Sequence, residues 1–230
     1  TIMAFVNKEG KPFFALNDSV EFCNMGLGFK YKHLWTNITN MFRDKNTREF
    51  RRLMTDCRHI ADRVDSFVSK LNPDIIVAFE QRSVVLFNEY IKPKAPVITM
   101  FHFNYSQVLK NEKLHYIYKK SSCIQVLTKN DLNQTKNIIG NVPVVQIANA
   151  VPQYKEIANL NEKRIICIGR VDGKQKRQHL LIEAFAQISS DYPEWTIDIY
   201  GDKSFDKKYY NLCVSLIDEY NLSKQIKFCG

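Results

Sequence analysis

Arg170 and Lys176 stand in one short polar stretch directly after Gly169, within RIICIGRVDGKQKRQHLLIEAF. Both are cations. Arginine offers a planar fork of donors that matches phosphate oxygens, and lysine offers a compact charge. An apolar-rich run, Arg164 to Ile168, precedes them and predicts a strand. Leu180, Leu181, Ala184, Phe185 and Ile188 follow at helical spacing. In α/β proteins a strand–loop–helix unit of this kind places its loop at the carboxyl end of a parallel strand, where ligands bind. The helix N-terminus adds free N–H groups and a partial positive charge. The chemistry expected is anion binding, for a phosphate or diphosphate. A solvated basic loop is the alternative reading of the same residues.

Other residue patterns carry less chemistry. Gly26 and Gly28 form G-x-G without a third glycine, and no clear strand precedes them, so a loop is expected rather than a dinucleotide fingerprint. Glu183 lies inside the apolar helix pattern and reads as structural. The five histidines lack metal-ligand spacing. No Asp-x-Asp pair occurs, so no metal is expected. The six cysteines are scattered without a C-x-x-C pair, which favours reduced, buried thiols and a cytoplasmic location.

The elements that must position Arg170 and Lys176 alternate along the chain. Two short strands, Ile2 to Val6 and Phe13 to Leu16, are expected around a Gly-Lys-Pro turn. Thr47 to Leu71 has one apolar face (Phe50, Leu53, Met54, Cys57, Ala61, Val64, Phe67, Val68, Leu71) and predicts a long helix. Asn72-Pro73 stops it. Strands are then expected at Ile75–Phe79, Val97–Phe101, Ile124–Leu127 and Val144–Ala148. Helices are expected at Val84–Ile91, Ser106–Lys119 and Lys129–Ile139. After a polar stretch the pattern restarts with the Arg164 strand and its helix. It continues with a Trp195–Tyr200 strand ending at Gly201, a Lys207–Tyr220 helix with Tyr210, Cys213, Val214 and Ile217 inward, and a Gln225–Phe228 strand. Such alternation predicts parallel, doubly wound sheets with strands buried on both faces. The expected division is 1–150, a linker 151–162, and 163–230.

Composition bounds the class. With 45% hydrophobic and 25% charged residues among 230, the chain has the balance of a soluble protein with a sizeable core. Its start, TIMAFVNKEG, does not read as a signal peptide. The net charge is +9, and residues 1–150 hold 21 Lys and Arg against 13 Asp and Glu, a net +8. That excess fits nucleic acid, an anionic membrane face or an acidic substrate. The aromatic and basic clusters of a nucleic-acid surface are missing, so no nucleic acid is expected.

The second part of the chain resembles the nucleotide-sugar-binding domain of glycosyltransferase family 4, of the GT-B fold. The resemblance rests on IICIGRVDGKQKRQHLLIEAFAQI, then YPEWTIDIYGD, then LIDEYNLSKQIKFCG. The interval from Arg170 to Lys176 is one residue longer than the usual pattern. Lys176 is preferred over Lys174 because the helix pattern keeps its phase from there. NPDIIVAFE, VITMFHF, SCIQVLTKNDL and VVQIANAVP resemble the N-terminal Rossmann-like domain more loosely, with Ala148 where proline is usual. The resemblance covers roughly residues 72–230. It implies two Rossmann-like parallel-sheet domains, the second incomplete: a first strand with its Gly-rich loop would precede Thr1, and a half-domain with two donor-contacting glutamates would follow Gly230.

The same resemblance implies transfer of a sugar from a nucleoside diphosphate donor to an acceptor hydroxyl, with no cofactor beyond that donor. Gly169, Arg170 and Lys176 would bind the diphosphate, Gly201 would lie near the nucleotide, and His102 would meet the donor sugar. The acceptor would be a glycan or a lipid-linked molecule in cell-surface glycan synthesis. The enzyme would sit in the cytoplasm, with peripheral contact at the inner face of an anionic membrane. The alternative is a non-catalytic partner subunit or truncated remnant that keeps the fold.

Overall fold

The computed structural model describes residues 2–5, 12, 15–27, 39–100, 109–153, 155 and 157–230. The chain divides into two compact units, Thr1–Val151 and Pro152–Gly230. Among the described residues no helix is long and apolar enough to cross a membrane.

The first unit begins with β1 (Ile2–Phe5) and β2 (Glu21–Asn24). They pair in parallel, so a tight turn cannot join them. The second strand therefore lies later than the expected Phe13–Leu16. Ala15 and Leu16 are not in a strand, and Phe13 and Phe14 lie outside the described residues. Helix α1 (Lys45–Leu71) starts where the Asp44 side chain accepts from the Thr47 N–H, and ends where Asn72 takes a left-handed φ of 42°. Pro73 cannot extend it. Its inner face buries Leu53, Cys57, Ile60, Ala61 and Val64. Leu53, Ile60 and Val64 each contribute about 1.5–3 kcal/mol when fully buried. Asp56 is buried there too, 3.7 Å from the Arg82 guanidinium. The exposed face carries Arg48, Arg52, Arg58 and Arg63, with Glu49, Asp62 and Asp65 among them.

A parallel sheet of β3 (Ile76–Phe79), β4 (Val97–Met100), β5 (Cys123–Val126) and β6 (Val144–Gln146) follows, in that spatial order. Helix α2 (Glu80–Val85) runs on into a π-helical turn, Leu86–Ile91. Glu80 turns the chain out of β3 with a φ of 70°, a region that side-chain-bearing residues seldom occupy. The expected Ser106–Lys119 helix is shorter in its described part. Residues 109–111 are not helical, Glu112–Leu114 form a 3-10 turn, and α3 (His115–Tyr118) is one turn long. Helix α4 (Lys129–Ile139) is capped by Thr128. Val84, Val85, Ile117, Tyr118, Ile124 and Val126 form the fully buried centre of the core.

The second unit holds β7 (Arg164–Ile168), α5 (Gln178–Ala186), β8 (Thr196–Tyr200), α6 (Lys207–Glu219) and β9 (Ile226–Phe228). The three strands are parallel, in the order β7-β8-β9. Ile182, Phe185, Cys213 and Ile217 pack with Ile197, Ile199 and Ile226 on one side of the sheet. On the other side Ile166 and Ile168 of β7 are 52% and 77% exposed. Burial on both faces, expected from the apolar runs, therefore does not hold for β7 among the described residues. Both helices of this unit contribute to that one core.

Candidate functional site: the loop between β7 and α5

The loop Gly169–Arg177 links the carboxyl end of β7 to α5. Its first residue continues the ladder, with the Gly169 N–H donating to the Tyr200 carbonyl at 3.0 Å. Gly201, at the end of β8, lies directly against it. A Cβ on Gly201 would overlap the Gly169 carbonyl oxygen. Close approach of two backbones is thus sufficient reason for glycine at 201. Lys176 folds back over the same point. Its Cδ and Cε lie 3.2 Å from where a Cβ of Gly169 would sit. The Cys167 thiol is pushed up by burial, and the Lys176 charge opposes that shift.

Arg170 projects from the same corner. Its Nη2 donates to Gln175 Oε1 at 2.6 Å and lies 3.7 Å from Asp172 Oδ2. Its guanidinium carbon is 4.8 Å from the centre of the Phe205 ring, on the loop after β8. The structure therefore gathers Gly169, Arg170, Lys176 and Gly201 at one end of the β7–β8 pair. His102 lies outside the described residues.

The loop is held by residues that the sequence pattern did not single out. Gln178 is 1% exposed. Its Nε2 donates to the Arg170 carbonyl at 2.7 Å and its Oε1 accepts from the Asp172 N–H at 3.3 Å. Asp172, also buried, accepts from the Lys174 N–H at 2.7 Å, and its carbonyl accepts from the Arg177 N–H at 2.8 Å. Arg177 enters the helix with a φ of 49° and no side-chain cap.

The N-terminus of α5 is less open than a free helix end. The His179 N–H donates to the Tyr209 hydroxyl at 2.9 Å, and the Leu180 N–H donates to the Arg177 carbonyl at 3.0 Å. The helix dipole remains, but those two amides are taken. The Tyr209 hydroxyl, whose oxygen accepts from the His179 N–H, also shares a hydrogen bond with His179 Nδ1 at 2.7 Å. Burial pushes the Tyr209 phenol up to about 12. The ring covers Gly173, where a Cβ would come within 2.8 Å of it.

The inward faces of both helices differ from expectation. In α5 the buried positions are Gln178, Ile182 and Phe185, while Leu180 and Ile188 are 49% and 45% exposed. Six apolar residues among its nine leave the phase ambiguous. In α6 the buried tyrosine is Tyr209 rather than Tyr210. The spacing Tyr209, Cys213, Ile217 is an i, i+4, i+8 stripe and carries that signal in the sequence. All six cysteines are free thiols, but only Cys57 and Cys213 are buried. Among the described residues no group of three or more His, Cys, Asp or Glu is placed to hold a metal.

Comparison with known proteins bears on the same region. The family model for glycosyl transferases group 1 matches residues 152–230. No curated protein matches the chain. Among solved structures, TarM from S. aureus, in complex with fondaparinux, alpha-GlcNAc-glycerol and UDP, is similar with a TM-score of 0.55 at 20% identity, over 77% of this chain and 36% of that one. A glycosyltransferase from Rickettsia africae gives 0.57 at 18% identity, over 76% of this chain and 51% of that one. HepE from Anabaena, in complex with UDP and glucose, gives 0.54 at 17% identity over the same shares, 76% and 51%. The chain thus spans about a third to a half of the solved proteins it matches. At such identities these likenesses show the fold, which is α/β with parallel sheets of the GT-B kind. The family match coincides with the second unit: the residues of Pro152–Gly230, loop and helix included, are what resembles the group 1 glycosyl transferases.

Proposed function

We propose that the chain binds a nucleoside diphosphate sugar at the carboxyl end of β7 and β8 and serves transfer of the sugar to an acceptor hydroxyl. The observation that carries this reading is the convergence of Lys176 and Arg170 on Gly169 within the unit that the group 1 glycosyl transferase model matches. In the transfer, the bond from the sugar C1 to the diphosphate oxygen breaks. A bond from C1 to the acceptor oxygen forms, and the acceptor hydroxyl loses its proton. Negative charge grows on the departing diphosphate. Fixed cations and the α5 dipole stabilise that charge without a metal. Gly201 lies beside the nucleotide. UDP is present in the TarM and HepE structures, which supports a nucleotide donor here.

The acceptor is a glycan or lipid-linked molecule of cell-surface polysaccharide synthesis, and the protein works in the cytoplasm. The net +8 of residues 1–150 supports peripheral contact with an anionic membrane face.

Isothermal titration with UDP, ADP and GDP, each against its monophosphate, tests the site. One diphosphate should bind more tightly than its monophosphate. Arg170→Ala should weaken that diphosphate by about 1.5–3 kcal/mol, the scale of a hydrogen bond to a charged group. Unchanged affinity in the variant removes Arg170 from the site.

A further inference from the structure

We infer that Phe205 and Gln175 are positioning residues that fix the Arg170 guanidinium for a diphosphate; this rests on the donor-site reading above. Arg170 sits on a loop with its side chain about half exposed, so nothing in its own backbone setting orients it. Two contacts do. The Phe205 ring lies under the guanidinium at 4.8 Å, and Gln175 Oε1 holds Nη2 at 2.6 Å. The ring sets the plane and the hydrogen bond sets the rotation within it. Asp172 adds its charge on the same Nη2 edge, at 3.7 Å. Among the described residues nothing bonds Nη1 or Nε, so those donors remain for phosphate oxygens.

The support is itself anchored. Phe205 lies between Asp202, whose Oδ1 accepts from the Ser204 N–H and hydroxyl, and Asp206, whose Oδ1 accepts from the Tyr209 N–H at the start of α6. A large aromatic ring 52% exposed on such a turn has no core to join. Its stacking on Arg170 accounts for it. Gln175 falls within the lengthened interval between Arg170 and Lys176, and its side chain turns that extra length into a hold on Arg170. A guanidinium ordered before the ligand arrives loses less freedom on binding.

The test uses the whole 230-residue chain with UDP as probe. Phe205→Leu should weaken UDP about 3- to 10-fold, the scale of a partly exposed cation–π contact plus lost order. Phe205→Tyr should restore it, and Gln175→Ala should weaken it similarly. In an Arg170→Ala background neither substitution should have a further effect. Nitrogen-15 NMR of the Arg170 side chain should show a ring-current shift, without ligand, that Phe205→Leu abolishes. An unshifted Arg170, a Phe205→Leu loss that persists fully without Arg170, or tighter UDP binding by Gln175→Ala would overturn the inference. If Arg170→Ala itself leaves UDP binding unchanged while the ring-current shift is present, the donor-site reading fails and takes the functional role of the stack with it.

Discussion

Tyr209 and Arg170 mark the two kinds of residue at this site. Arg170 and Lys176 were legible from the sequence because their charges follow a strand and glycine in order. Tyr209, Gln178 and Asp172 were not. Tyr209 reaches His179 from 30 residues away, and only tertiary packing brings them together. Gln178 looks like an ordinary polar residue at a helix start, yet it is buried and bridges two loop backbones. Tyr209→Phe removes the acceptor for the His179 N–H and should cost about 1–3 kcal/mol near neutral pH, the penalty for a donor left unpaired. The cost depends on pH. The phenol titrates at about 12 in the folded protein, and near 10 when unfolded. The unfolded chain therefore releases this proton first. The wild-type advantage is fully present below pH 10 and declines as pH rises towards 12. Urea unfolding of the two proteins at several pH values should show the gap narrowing across that window. A gap that widens would contradict the assigned environment.

At the scale of elements, sequence periodicity found every long helix and most strands, and erred where periodicity is blind. α1 was clear because its 27 residues repeat one apolar stripe. β2 was not expected because its four residues, Glu21 to Asn24, hold no apolar run. The phase of α5 was missed because apolar residues crowd its nine positions. β7 read as buried on both faces, yet Ile166 and Ile168 are open, since strand composition does not say how many faces are covered. The junction of β7 and β8 yields a sharper expectation. Gly201→Ala places a methyl group on the Gly169 carbonyl and should destabilise the second unit by about 1–3 kcal/mol, the cost of overpacking. The midpoint of urea unfolding measures this. Gly26→Ala, with no atom within 4 Å of the new Cβ, is a control for packing alone, although its φ of 57° adds some strain. A Gly201→Ala loss no larger than the control's would refute the close approach.

For the whole molecule, charge and family act together. The excess of positive charge lies almost wholly in residues 1–150, whereas the proposed diphosphate site lies in the second unit. The exposed face of α1 mixes arginines with Glu49, Asp62 and Asp65, so the proposed membrane attraction rests on the net charge rather than on one clean basic stripe. Sedimentation with anionic vesicles, but not neutral ones, is expected at low salt and should fade as salt screens it. Equal failure with both would remove the membrane from the account. The fold class was legible from alternation of strands and helices. The proposed donor chemistry rests on the order in which the loop residues resemble a family, because their charges alone point only to an anion. The central claim is that the β7–α5 loop receives a nucleoside diphosphate. The most direct measurement is a proton–nitrogen NMR titration of the chain with UDP. Backbone amides from Gly169 to His179 and around Gly201 should shift, and Arg170→Ala should suppress the change. Shifts confined to other regions, or none at saturating UDP, would contradict the account.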